Sequence, residues 1–286
     1  TLQSRLKNSI CMIKQNLLVF ILFTSSFGIS NDETWVKKLP KPWTLVEPEF
    51  ESFLLQFHEE YPNFFDRLKA LNKWRIGTPY GIYCLGEETG VDKDPIIRFD
   101  SSDCTVHVLT TIAFSKSSSW EEARRNMIDI HYKDRPHVGK KPTFKSRWHF
   151  TSDRILNNEY TVDITKSIAD HSILDSVNIS LNERENGDEF LDLGWTSNEN
   201  IHFIPSDEIT DEILLKLPDV CGVAFVKESY FKLGIVIAHE GFLIDSKQLV
   251  HASSEYGQTV DILFDNYLKT REGYRFDGVM FYEILP

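Results

Sequence analysis

Residues 98–111 read RFDSSDCTVHVLTT and set one cysteine, Cys104, behind the turn and capping residues Asp100, Ser101, Ser102 and Asp103. Ser and Asp side chains accept the first free N–H groups of a helix, so this run favours the non-helical entry to one. The largely apolar segment Thr105–Phe114 follows, which puts Cys104 in the first helical turn. Aligned peptide dipoles leave partial positive charge there and favour a thiolate over a thiol. A cysteine in an apolar helix also serves as a small core residue, and this stretch alone leaves both readings open.

Working toward the N-terminus, Ile96–Phe99 reads as a short apolar strand leading into the cysteine segment. Ile76–Gly86 (IGTPYGIYCLG) has turn residues Gly77 and Pro79 followed by Tyr80. A tyrosine in such a loop packs its ring and keeps its hydroxyl wet. Glu49–Trp74 is helical in pattern, with Phe53, Leu54, Phe57 and Tyr61 on one face. Pro62 restarts a second helix carrying Phe64, Phe65, Leu68 and Leu71. These aromatics read as packing. Asn31–Trp43 is polar, holds Pro40 and Pro42, and reads as a linker.

The extreme N-terminus has the layout of a targeting segment. Met12 and Lys14 precede an apolar run, Leu17–Phe23, and then small residues around Ser25–Ser30. A basic start, a short apolar stretch and a small-x-small site (Ser26-Phe27-Gly28 or Gly28-Ile29-Ser30) read as a secretory signal peptide. The run is shorter than the roughly 20 residues a membrane span takes; an N-terminal anchor or a buried helix is the other reading. The domain organisation expected is a leader over 1–30, a linker over 31–45 and one domain over 46–286. The destination is periplasmic or secreted, with no stable membrane span after cleavage.

Of 286 residues, 41% are hydrophobic and 26% charged, enough to build a core. The formal net charge of −12 makes nucleic acid a poor partner. The four cysteines, Cys11, Cys84, Cys104 and Cys221, contain no CxxC pair, so neither a disulfide scaffold nor a zinc-finger site is indicated. After export Cys84 and Cys221 would either pair or stay as two unpaired thiols. Lys133–Arg147 is locally basic, with Lys133, Arg135, Lys140, Lys141, Lys145 and Arg147. It is either a solvated loop or a cationic wall for an anionic substrate.

Toward the C-terminus, helices are expected over Cys104–Ser115 and Trp120–Ile130, the second capped by Ser119, and from Pro205 through Leu217. A weak strand is expected over Val177–Leu181. The remainder reads as β-rich runs, Gly222–Lys227, Gly234–Ile244 and Gln248–Ala252, then a helix over Asp261–Lys269 and a last strand over Gly278–Leu285. Two of the nine histidines lie on these runs: His239 in GIVIAHEGFLI and His251 in QLVHASS, around the turn Asp245-Ser246-Lys247. With a three-residue turn Ile244 faces Gln248, and His239 and His251 fall on the same face as diagonal neighbours. A two-residue turn would put them on opposite faces. A cysteine at a helix start and two histidines on one sheet face are the parts of a thiol hydrolase: nucleophile, base, and a group that orients the base. Two unrelated sheet histidines, or a zinc site from Cys104, His239 and His251, are the alternatives, the latter without the usual tight ligand spacing.

The ordered set Gly77-Thr78-Pro79-Tyr80, Leu85-Gly86-Glu87, Arg98-Phe99-Asp100, Asp103-Cys104, Arg147 to Phe150, His239-Glu240-Gly241-Phe242 and His251-Ala252-Ser253 resembles the NlpC-type cell-wall cysteine hydrolases. The nearer likeness is to their N-acetylmuramoyl-L-alanine amidase-like branch. The resemblance implies an α+β, papain-like NlpC-type core: the helix bearing the cysteine at its N-terminus packs on an antiparallel sheet, with extra N-terminal helices. It implies Cys104 as nucleophile, His239 as base, His251 as the orienting member and Tyr80 as a hydroxyl near the oxyanion or sulfur. Arg98, Asp103, Arg147, His149 and Ser253 are then expected at the substrate, with no metal and no cofactor. The substrate implied is peptidoglycan or a muropeptide, cut between N-acetylmuramic acid and L-alanine. A stem-peptide endopeptidase of the same fold and a catalytically silent wall-binding module are the alternatives. Departures are His107 and Leu109 after the cysteine, Glu240 where Val is commoner, and Arg154 where an aromatic is typical.

Overall fold

The structure is a computed structural model and describes residues 35–134, 139 and 141–286. The expected leader, with Met12, Lys14 and the apolar run 17–23, lies outside the described residues, as do Cys11, Arg135 and Lys140. Leu39–Pro286 forms one compact unit; Thr1–Lys38 is grouped apart from it, and only 35–38 of that part are described.

The unit opens with two helices, α1 (Glu47–Glu60) and α2 (Phe64–Trp74). The Glu49 side chain reaches back to the Val46 N–H at 3.1 Å, which fixes the start of α1. Asn63, not Pro62, starts α2: its side-chain oxygen accepts from the N–H groups of Phe65 and Asp66. The aromatics of α1 and α2 are packing, as expected. Phe50 lies 4.3 Å from Phe99, 4.7 Å from Phe114 and 5.3 Å from Trp74, ring centre to ring centre. The end of the expected linker is tied down as well, since the Trp74 indole donates to the Pro40 carbonyl at 2.8 Å.

Next come α3 (Cys104–Ser115), α4 (Trp120–His131), α5 (Thr151–Asn157) and β1 (Thr161–Asp163). They are followed by the short α6 (Thr165–Ile168), β2 (Asp175–Leu181), β3 (Ser197–Pro205), α7 (Asp211–Leu214), β4 (Val220–Val226), β5 (Ile237–Ile244), β6 (Gln248–Ser253) and β7 (Gln258–Leu263). The chain ends with α8 (Phe264–Leu268), the two-residue strands β8 (Lys269–Thr270) and β9 (Gly273–Tyr274), and β10 (Gly278–Ile284). Eight strands make one sheet in the order β2-β3-β10-β4-β5-β6-β7, with β1 on β10. Every pairing in it is antiparallel. Strand alternation splits its central residues between two cores. Cys221, Val223, Phe225, Leu243, Leu249, Val279 and Phe281 face one side, with Phe264, Tyr267 and Phe276. Helix α3 seats on the other.

Several elements depart from the sequence expectation. Ile96–Phe99 is irregular, although Ile96 and Ile97 are buried. The helix expected from Pro205 to Leu217 is a 3₁₀ turn at Ser206–Glu208 and then the single turn of α7, restarted by a Thr210 cap. Its apolar residues Ile209, Ile213, Leu214 and Leu217 join the core beneath the sheet, so burial rather than helical length satisfies them. The helix expected at Asp261 begins only at Phe264, because pairing with β6 captures Gln258–Leu263 as an edge strand. The polar strand β3 carried too few apolar residues to be read; it pairs β2 at seven positions. Cys84, Cys104 and Cys221 are all free, so of the two readings for Cys84 and Cys221 the unpaired one describes this structure.

Candidate active site

Asp103 has extended backbone and its side chain accepts from the Val106 N–H at 2.8 Å, so it is the N-cap and Cys104 is the first helical residue, as the capping run required. Cys104 is half-buried. Around its sulfur stand the Glu240 backbone amide and the Thr105 side chain, which favour a thiolate, and the Glu240 and Asp103 carboxylates, which oppose it. Burial is the largest influence, and with the carboxylates it pushes the thiol up to about 12. The expected thiolate preference is therefore reversed. A helix start contributes about 0.3–1 kcal/mol, whereas a rise of this size disfavours the thiolate by on the order of 4 kcal/mol. The resting group is a neutral thiol.

The hairpin has the three-residue turn. Ile244 faces Gln248, Leu243 faces Leu249 and Phe242 faces Val250. Asp245 and Ser246 both take positive φ, and the Lys247 N–H returns to the Ile244 carbonyl at 3.1 Å. The diagonal expected of His239 and His251 follows: His239 Nε2 lies 2.7 Å from His251 Nδ1. Gly241 permits this approach, because a Cβ there would come within 2.9 Å of both His251 Cβ and the Val250 carbonyl oxygen. Tyr267 covers both rings, 5.5 Å from His239 and 4.4 Å from His251. Burial, then His251 and Arg275, holds His239 well below the usual imidazole range. Burial also takes His251 down to about 4. Both rings are neutral at neutral pH.

The helix does not sit over the imidazoles. Thr105 bonds Glu240 at 2.9 Å and His107 meets Phe242 edge-on at 5.8 Å, so α3 packs on the face that carries residues 240 and 242. His239 is one residue away and therefore projects from the other face, stacked on Phe225 at 5.7 Å. Cys104 and His239 nevertheless line one cavity of about 450 Å³. Phe150, Phe190, Leu191, Tyr230, Leu233 and Ile237 wall it, and among the described residues no Asp, Glu, Lys or Arg lines it. Buried Asn182 shapes that wall: its side chain accepts from the Leu191 N–H at 2.8 Å and donates to the Leu191 and Trp195 carbonyls.

The remaining expected site residues divide. Tyr80 lies near Cys104, with its hydroxyl bonded to Ser254. His149 lines the cavity, its Nε2 2.6 Å from the Phe144 carbonyl oxygen. Asp103 is engaged as the helix cap and Ser253 accepts from the Tyr256 N–H. Arg98 is spent locally on Asp100, at 2.9 Å, and on the Cys84 carbonyl. Arg147 is buried and ion-paired with Glu87 and with Asp92, at 2.9 Å for the second. It braces the loop around residues 87–92. Of the described cations of 133–147, Lys141 and Lys145 are exposed, whereas Lys133 and Arg147 are not. Lys133 is paired with Asp153 and lies over Trp148 and Trp195, so Lys133 and Arg147 have their charges satisfied internally.

Sequence reasoning missed Tyr267 of α8 and Arg275 beyond it, which reach the imidazoles, Arg275 stacking on Tyr267 at 4.8 Å. It also missed what joins Glu240 to Arg154. No motif marks any of these, since only packing brings them to the site. Among the described residues no group of three or more His, Cys, Asp or Glu is arranged to hold a metal, and the zinc alternative at Cys104, His239 and His251 finds no such arrangement. No helix of the described residues is long and apolar enough to cross a membrane.

Three solved structures share this fold. Protein LPG0564 of Legionella pneumophila matches with a TM-score of 0.69 at 23% identity, over 84% of this chain and 96% of that one. An N-acetylmuramoyl-L-alanine amidase of Bacteroides uniformis matches with a TM-score of 0.59 at 21% identity, over 77% and 99%. A putative xylanase of Bacteroides fragilis matches with a TM-score of 0.57 at 22% identity, over 75% and 99%. Among curated proteins none matches the chain. Residues 71–274 match the family described as AmiA-like, N-acetylmuramoyl-L-alanine amidase-like, and the chain belongs to that family.

Proposed function

We propose that this chain is an exported cysteine hydrolase with an NlpC-type, papain-like core. On this reading it cleaves the amide between N-acetylmuramic acid and L-alanine in peptidoglycan or its turnover fragments. The observation that carries the reading is the His239–His251 contact at 2.7 Å, with Cys104 and His239 on the wall of one cavity. Family membership supports the reaction class. The signal-like segment before residue 31 supports export, to the periplasm or beyond.

The resting pair is a neutral thiol and a neutral imidazole. His239 gives its Nε2–H to His251 Nδ1, which leaves the Nδ1 lone pair of His239 to take the thiol proton as sulfur attacks the lactyl carbonyl carbon. The Cys104 N–H, at the first helical position, has no helical carbonyl to bond. With the Tyr80 hydroxyl it receives the charge that develops on the carbonyl oxygen. His239 then returns the proton to the alanine nitrogen, the C–N bond breaks, and a thioester remains. Water, deprotonated by His239, adds to the thioester. The products are a free lactyl carboxylate, a stem peptide with a free alanine amine, and the restored thiol.

The uncharged cavity lining favours the sugar side over the carboxylate-bearing stem. Purified muropeptides digested with the protein should release free sugar and an intact stem peptide by mass, and Cys104→Ala should release neither. A shortened stem would assign the endopeptidase reading. Undiminished cleavage by Cys104→Ala would remove the thiol mechanism, and no cleavage by the intact protein would favour the wall-binding module.

A further inference from the structure

Two departures from the resembled pattern, Glu240 and Arg154, are one interaction. The Glu240 carboxylate is fully buried and holds four partners from three elements. Thr105 of α3 donates to Oε1 at 2.9 Å, and Thr151 of α5 donates to Oε1 at 3.2 Å. Tyr282 of β10 donates to Oε2 at 3.0 Å, and Arg154 of α5 bonds Oε2 through Nη2. The Tyr282 ring crosses where a side chain at residue 222 would stand: a Cβ on Gly222 would come within 2.0 Å of it. A buried ion pair is weak evidence for stability, because an apolar pair of similar volume often serves as well. Position is the better account. Thr105 adjoins Cys104 and Glu240 adjoins His239, while the Glu240 backbone amide bonds the Cys104 sulfur.

We infer that Arg154 and Glu240 form a positioning pair that locks the first turn of α3 to β5 and so fixes the Cys104 sulfur relative to His239. This rests on Cys104 being the reactive thiol. The titratable groups acting on that sulfur are Asp103 from its own cap, Glu240 from β5, Tyr80 from the 77–86 loop and Tyr267 of α8, and His239 of β5 lines the same cavity. Of these, Glu240 joins the sulfur to α5, through Thr151 and Arg154.

The test follows alkylation of Cys104 by iodoacetamide against pH, read by peptide mass so that Cys84 and Cys221 are scored separately. It uses the full chain, Glu240→Gln, and the double variant Glu240→Val with Arg154→Phe. Removing the carboxylate charge should lower the alkylation midpoint by about one pH unit. Thiolate fraction then rises about tenfold at a fixed pH below the midpoint, intrinsic nucleophilicity falls about threefold, and the rate rises about threefold. The double variant should fold, show the same lowered midpoint, and lose on the order of tenfold or more in muropeptide kcat with KM held within a few-fold. A midpoint unmoved in both variants overturns the inference. So does a double variant with unchanged kcat. If the unaltered chain cleaves no muropeptide, the functional reading fails, and the midpoint still decides this one.

Discussion

Acidification from pH 7.5 to pH 5 should cost this fold about 4 kcal/mol through two histidines alone. His149 and His251 are pushed down to about 4, chiefly by burial, from the ordinary 6.5. Between those values the unfolded chain carries the proton and the folded chain does not, so stability rises with pH across the window. The contribution is fully present above pH 6.5 and falls by about 1.4 kcal/mol per pH unit per ring. It levels off below about pH 4. At pH 5 the loss is about 2 kcal/mol for each ring, against a total stability of about 5–15 kcal/mol for a typical domain. His107, His131 and His239, also held well below the imidazole range by burial, act in the same direction. Asp103, raised by burial, acts in the opposite one. The lowered carboxylates Asp92, Asp100 and Glu122 lose their contribution only as pH falls through the carboxylate range, below this window. Urea unfolding followed by tryptophan fluorescence at pH 7.5, 6 and 5 measures the effect. His149→Gln should remove about 1.4 kcal/mol per pH unit from the slope. Equal midpoints at pH 7.5 and 5, or an unaltered slope in His149→Gln, would refute the reasoning.

Gly241→Ala should destabilise by about 1–3 kcal/mol, because the methyl meets backbone and Cβ atoms that cannot swing away. It should also break the imidazole contact, visible as altered His239 and His251 ring resonances; a variant with native melting and native resonances would contradict this. Arg147→Met strands the buried Glu87 carboxylate and should cost about 3–5 kcal/mol in urea unfolding, whereas a substrate-binding Arg147 would instead raise KM with stability intact.

The local elements of the site were legible in the chain. The run Asp100–Asp103 encoded a helix start because short polar side chains compete for free N–H groups within one turn, and Cys104 duly begins α3. The turn Asp245-Ser246-Lys247 set the hairpin register by parity, and with it the His239–His251 diagonal. Both depend on residues a few positions apart, so spacing suffices. Longer expectations failed where tertiary pairing outbid local pattern, at Gln258–Leu263 and in the segment after Pro205.

Tertiary structure alone decided which sheet face takes the helix, and it chose the one bearing Glu240. It turned Arg147, expected at the substrate, into an internal brace, since its carboxylate partners Glu87 and Asp92 come from a loop that folds onto it. It also converted a favoured thiolate into a neutral thiol. A helix start is a property of neighbouring residues, but desolvation and the approach of a carboxylate from a strand 136 positions away in sequence from Cys104 arise only when the chain has folded.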